Sequence, residues 1–183
     1  MCSSDLKSIQ TKVGGIYNVS QLRQDILAVT DLYSQKGYAY ADANPISKLN
    51  DEDRTVDLSI EIDKGKKVYV GNIEILGNII TRDNVIRREF RLKEGEVFDG
   101  SKLKRSKQRI NNLNYFEDVK IDTHRGQDPD LIDILTIVTE RPTGSFSVGI
   151  GFSSVENLIF NTSITQDNLL GNGQRLGLSA NLS

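Results

Sequence analysis

From residue 145 onward, large apolar side chains alternate with Gly, Ser, Asn and Thr in three successive segments. Phe146, Val148, Ile150 and Phe152 share one face of the first, and Ser145, Ser147, Gly149, Gly151 and Ser153 share the other. Leu158, Phe160, Thr162 and Ile164 repeat the pattern against Ile159, Asn161, Ser163 and Thr165. Leu176, Leu178, Ala180 and Leu182 repeat it again against Arg175, Gly177, Ser179 and Asn181. A period of two predicts strands with one apolar and one polar face. A transmembrane β-barrel strand needs roughly 9–11 residues with an apolar lipid side and a polar or small lumen side, and each segment fits. A half-solvated antiparallel sheet gives the same alternation in any single segment. Three in succession favour the barrel, because the polar faces carry Gly, Ser and Asn where a water-facing sheet usually carries Lys, Glu and Thr. Such barrels close with about eight or more strands, so the sequence is read as a piece of a longer chain.

Ahead of these strands one passage occurs twice, at a constant offset of 81 residues: Gly14, Tyr17, Asn18, Ser20, Leu22, Val29 and Leu32 match Gly95, Phe98, Asp99, Ser101, Leu103, Ile110 and Leu113. Each position has a physical task. The glycine permits a turn with positive φ, the aromatic fills a core, and Asn18 or Asp99 caps the helix that follows. Leu22, Ile26, Val29 and Leu32 line one helix face in the first copy, and Leu103, Ile110 and Leu113 do so in the second.

A hairpin is predicted after each helix: strands around Tyr38–Ile46 and Val56–Ile62 with a turn over Asn50–Arg54, then Phe116–Thr123 and Ile132–Glu140 with a turn over Gly126–Asp130. In the last of these Ile134, Thr136 and Val138 face one way and Leu135 and Ile137 the other. The second copy also has a strand over Val68–Leu76 whose parity slips near Gly71–Asn72, the mark of a bulge. Gly77–Asn78 then turns the chain, Thr81 is predicted to cap, and Val85, Ile86 and Phe90 form the buried side of a short helix. The unit is strand, helix, helix, strand, strand. The same offset puts the first strand of copy one ahead of residue 1.

Composition narrows the function. The 183 residues are 26% charged and 37% hydrophobic, ordinary for a folded domain or two, and a net charge of −2 argues against a nucleic-acid binder. Lys102, Lys104, Arg105, Lys107 and Arg109 form one basic helix run without interleaved aromatics, read mainly as a solvated face. Cys2 is the sole cysteine, which excludes an internal disulfide and thiolate clusters. Met1–Leu6 has no place in the pattern, and Cys2 lacks the apolar run that precedes a lipidation site. His124 is the sole histidine, and there is no metal-ligand spacing, nucleophile elbow or phosphate-cradling loop. The acidic pairs Glu117-Asp118 and Asp51-Glu52 fall in or beside turns, as solvated carboxylates do. No catalytic residue, no metal and no cofactor is expected, and no small-molecule substrate.

Several longer runs resemble a known family. Val70-Gly71-Asn72-Ile73-Glu74-Ile75-Leu76-Gly77-Asn78, Lys93-Glu94-Gly95-Glu96-Val97-Phe98, Asn114-Tyr115-Phe116-Glu117-Asp118-Val119 and Glu140-Arg141-Pro142-Thr143-Gly144-Ser145-Phe146 resemble the last POTRA (polypeptide-transport-associated) domain and following strands of the BamA family of outer-membrane β-barrel assembly factors. Gln166-Asp167-Asn168-Leu169-Leu170-Gly171-Asn172-Gly173 is similar to that family's connection between the second and third barrel strands. The resemblance covers nearly all of residues 10–183. It implies an α+β chain with tandem POTRA domains, each a three-stranded mixed sheet with two helices on one face, followed by the first antiparallel strands of an incomplete barrel. The expected domains are a truncated penultimate POTRA over 1–65, the last POTRA over 66–141 and barrel strands over 142–183.

The resemblance further implies a non-enzymatic assembly factor in the bacterial outer membrane, with its POTRA domains in the periplasm. Its expected partners are unfolded outer-membrane proteins, accessory lipoproteins and outer-membrane lipid. Two sheet edges would pair with incoming strands: the POTRA hairpin strand around Val119 and Ile121, and the first barrel strand, Ser145, Phe146, Ser147, Val148, Gly149, Ile150, Gly151 and Phe152. Loose pairing of that strand would let the barrel open sideways, against the alternative of a fully paired wall strand. Arg87, Arg88 and Glu89 would dock an accessory lipoprotein, against the alternative of solvated helix charges. The competing functions are a POTRA-containing transporter of the two-partner secretion type and a soluble periplasmic POTRA adaptor.

Overall fold

The computed structural model describes residues 9–153 and 157–182, so Met1–Leu6 and Cys2 lie outside the described residues. In chain order the elements are α1 (Val19–Gln35), β1 (Asp42–Asn50), β2 (Thr55–Asp63), β3 (Tyr69–Leu76), α2 (Asp83–Arg87), α3 (Gly100–Asn112), β4 (Phe116–Arg125), β5 (Leu131–Glu140), β6 (Gly144–Ser153), β7 (Asn157–Leu169) and β8 (Gln174–Leu182). They form a two-stranded sheet β1-β2 and two three-stranded sheets, β3-β5-β4 and β6-β7-β8. This is the α+β architecture the sequence predicts.

Both predicted caps form. Asn18 Oδ1 accepts from the Ser20 amide at 2.9 Å, and Asp99 Oδ1 accepts from the Ser101 and Lys102 amides at 2.8 and 3.1 Å. Each thereby satisfies amides that a helix start leaves without an internal partner.

The chain packs as two compact units. One comprises the described residues up to Ile73, with Leu92–Lys104 and Thr123–Ile134. In it Val29, Tyr33, Ala41 and Ala43 form a core against Ile26, Tyr38, Ile60 and Ile62. Tyr33 takes the buried place expected of Leu32. The first hairpin strand starts at Asp42, four residues later than predicted, because Tyr38 remains in the turn. The Tyr38 amide donates to the Tyr33 carbonyl at 3.1 Å, and its ring meets Tyr33 edge-on at 6.2 Å. Asp25 is buried on α1 and accepts from the Gln10 and Thr11 amides at 2.7 and 2.9 Å. In β3 the inward positions pass from Val70 to Ile73, the expected parity slip, and the Asn72 amide donates to Asp133 at 2.7 Å.

The other unit comprises Glu74–Arg91, Arg105–Asp122 and the described residues from Leu135 onward. Val85, Ile86, Phe90, Ile110, Phe116, Val119, Thr136 and Val138 are among its buried residues. Ser106 is buried with them on α3, where its hydroxyl accepts from the Arg91 amide at 2.8 Å. In β5 Ile134, Thr136 and Val138 point inward, while Leu135 and Ile137 are more exposed, as the alternation predicts.

Candidate functional site

The sheet β6-β7-β8 is antiparallel throughout, and its register stacks like on like. Phe146 lies opposite Ile164 and Ile164 opposite Leu178; Ile150 lies opposite Phe160 and Phe160 opposite Leu182. The other face carries Ser147, Ser163 and Ser179 in one row and Gly149, Asn161 and Asn181 in the next. Ser147 and Ser163 share a hydrogen bond at 2.6 Å across the pair. The apolar face is bare: Phe146, Val148, Ile150, Phe152, Leu178 and Leu182 are all exposed. Because side chains alternate strictly, a one-residue slip in register would turn each apolar row over, so the segregation itself fixes the pairing.

β6 pairs with β7 on one side only and is an edge strand among the described residues, as is β4 in its sheet. On β4 Val119 is buried and Ile121 half-buried, so what the strand offers outward is its backbone. A row of unpaired N–H and C=O groups is a template for another strand. His124 also lies on β4, exposed.

Of the three charged residues at α2, Arg87 is tied to Asp83, Nε to Oδ1 at 2.8 Å, one helical turn back. The side chain of Glu89 is only 13% exposed and accepts from Arg109 at 2.7 and 2.9 Å, with Arg88 at 3.5 Å. Arg87 and Arg88 keep exposed guanidiniums, whereas Glu89 is largely engaged within the chain.

A further cluster joins residues far apart in the sequence. Thr81 does not cap α2: the cap residue is Arg82, without a side-chain bond. Thr81 is buried, and its hydroxyl accepts from the amide nitrogen of Asn168 at 2.8 Å. Glu140, at the end of β5, accepts from the Ile80 and Thr81 amides at 2.8 and 2.6 Å. Burial pushes the Glu140 carboxyl up, but the Thr81 hydroxyl and the amides of Ile80, Thr81 and Ile79 outweigh it and hold it below the ordinary carboxylate range. The turn between β7 and β8 lies on the same spot. The Arg82 amide donates to the Gly171 carbonyl at 3.0 Å, and the Tyr115 hydroxyl donates to the Gly173 carbonyl at 3.3 Å. Gly171 sits at φ +72°, and a Cβ there would be 1.9 Å from the Ile80 carbonyl oxygen. Only glycine fits that approach.

These contacts explain the Glu-Arg-Pro-Thr-Gly run that joins β5 to β6. Glu140 holds the turn before α2, and Arg141 donates from Nε to the Asn114 carbonyl at 2.7 Å. Thr143 accepts on its hydroxyl from Gln166 at 2.8 Å and on its carbonyl from the Asp167 amide at 3.0 Å. Each residue ties the start of the strand tail to a different neighbour.

The family model for POTRA, the surface antigen variable number repeat, matches residues 5–65 and 68–141, and the chain belongs to that family. It is 36% identical over 178 residues to the outer membrane protein assembly factor BamA of Neisseria meningitidis serogroup B, covering 97% of this chain and 22% of that protein. The chain thus spans about a fifth of the length of that curated relative. Among solved structures, BamA from Haemophilus ducreyi lacking POTRA domains 1–3 superposes with a TM-score of 0.86 at 31% identity, over 98% of this chain and 34% of that one. CdiB from Escherichia coli superposes with a TM-score of 0.54 at 19% identity, over 99% of this chain and 33% of that one, and shows a shared fold.

Proposed function

We propose that this chain is the part of an outer-membrane protein assembly factor where the last periplasmic POTRA domain, residues 66–141, passes into the first strands of a membrane barrel, residues 142–183, with a preceding POTRA domain over residues 1–65. The observation that carries the reading is the register of β6-β7-β8, which lines up Phe146, Ile150, Phe160, Ile164, Leu178 and Leu182 on one bare face. In lipid such a face is solvated and every backbone group must be paired, which a sheet closed by further strands achieves. The names of the relatives at 36% and 31% identity support assembly over transport, and the likeness to CdiB at 19% adds only the fold.

The factor binds unfolded outer-membrane proteins by strand addition at the edges of β4, around Val119 and Ile121, and of β6, from Ser145 to Phe152. No nucleotide is required, because burying apolar strand faces releases about 25 cal/mol per Å². The protein's task is kinetic: it keeps the entering backbone hydrogen-bonded, since each unsatisfied group costs several kcal/mol in hydrocarbon. Arg87 and Arg88, with Glu89 holding Arg88 and Arg109, form the docking surface for an accessory lipoprotein. The reaction is non-enzymatic.

Photo-reactive residues at Ile121 and Ser147 of the full-length protein test the client-binding role during assembly in cells. Adducts with unfolded outer-membrane proteins at both positions are expected. A secreted polypeptide in their place would favour the transport reading, and no adduct at either edge would contradict both.

A further inference from the structure

Ile79, Ile80 and Leu170 are large apolar residues that the core does not use, at 91%, 65% and 77% exposure. They come from segments ninety residues apart, the turn after β3 and the turn after β7, yet they are neighbours. The Arg82 amide is bonded to Gly171, the Asn168 amide to Thr81, and the Ile80 carbonyl fills the space a Cβ on Gly171 would need. Leu170 is held at φ +51°, an uncommon conformation for a branched side chain, and it is turned out rather than in.

Two observations say what covers this patch. It lies at the turn that leads into β8, whose first outward apolar residue is Leu176, 47% exposed and in line with Leu178. It is also flanked by guanidiniums: Arg82 is exposed, and Arg88 reaches the same turn, a terminal nitrogen lying 2.6 Å from where a Cβ on Gly173 would sit. Apolar side chains beside cations at the end of a lipid-facing surface match the headgroup boundary of a bilayer with anionic lipid.

We propose that Ile79, Ile80 and Leu170 form a lipid anchor that seats the turn after β3 in the periplasmic headgroup layer, with the exposed Arg82 facing lipid phosphates. The proposal rests on the reading of β6-β7-β8 as membrane strands. The anchor lies about 5–10 Å into the headgroup and acyl boundary, the depth at which interfacial apolar residues settle. It ties the periplasmic domain to the membrane surface beside the first strands, where a client strand would arrive.

The test uses the full-length protein with Cys2→Ser and one substitution at a time, Ile80→Cys, Leu170→Cys or Ile150→Cys, each carrying an environment-sensitive fluorophore. The protein is reconstituted in phosphatidylethanolamine and phosphatidylglycerol vesicles containing lipid brominated near the headgroup or deep in the chain, with iodide as the aqueous quencher. Expected is loss of emission at positions 80 and 170 with shallow bromine, and at position 150 with deep bromine. If positions 80 and 170 respond to iodide alone while 150 responds to deep bromine, the anchor is overturned and the membrane strands stand. If all three respond to iodide alone, both readings are overturned. Protection from iodide that appears only in native membranes assigns the patch to a protein partner and also overturns the anchor.

Discussion

Glu140 sits where two parts of the chain are fastened, and its charge state is linked to folding. Its carboxyl is lowered from the ordinary value of 4.5, burial being outweighed by the hydrogen bonds from Thr81, Ile80 and Ile79. A group whose folded pKa is depressed stabilises the fold fully above its unfolded value, and the contribution is lost as pH falls through the folded one. Asp25 is lowered from 3.8 in the same way by Gln10 and Thr11, against burial. Glu140→Gln should therefore lower the thermal midpoint at neutral pH, with the gap to the parent closing as pH drops below 4.5. A gap independent of pH would refute the linkage. Thr136 presents the opposite case, since its Oγ1 is buried in β5 without a hydrogen-bond partner. Thr136→Val keeps the shape and removes the unsatisfied hydroxyl, so chemical denaturation should show a gain of about 1 kcal/mol.

At the level of elements, the turn after β7 is bound to the turn before α2 through Gly171 and Asn168. Gly171→Ala places a Cβ 1.9 Å from the Ile80 carbonyl at φ +72°, so the Arg82 amide should lose its partner. Hydrogen exchange at Arg82 is expected to accelerate by at least tenfold, about 1.4 kcal/mol of local opening. Unchanged protection would mean the turn is not held there. The sequence shows part of this and not the rest, for a definite reason. Asn18 and Asp99 are legible as caps because the amides they bind are two or three residues away. Thr81 looks like a cap by the same local rule, but its hydroxyl partners are Glu140 and Asn168, the second of them 87 residues on. The strand expected from Tyr38 begins at Asp42 because ring packing on Tyr33 outcompetes extension. The alternation of β6 to β8 needs only period two, so it reads directly. The bonds of Glu140, Arg141 and Thr143 belong to a resembling motif whose physical meaning appears only when distant segments meet.

For the whole molecule, two POTRA repeats precede a sheet whose first strand separates Phe, Val and Ile from Ser and Gly from Ser145 to Phe152. The function proposed depends on which medium meets each face. Nitroxide labels placed singly from Ser145 to Phe152 in the full-length protein, in vesicles, measure this by collision with oxygen in lipid and with a nickel chelate in water. A period of two is expected, with lipid access at Phe146, Val148, Ile150 and Phe152 and aqueous access at Ser145, Ser147, Gly149 and Gly151. Equal aqueous access along all eight positions would contradict it.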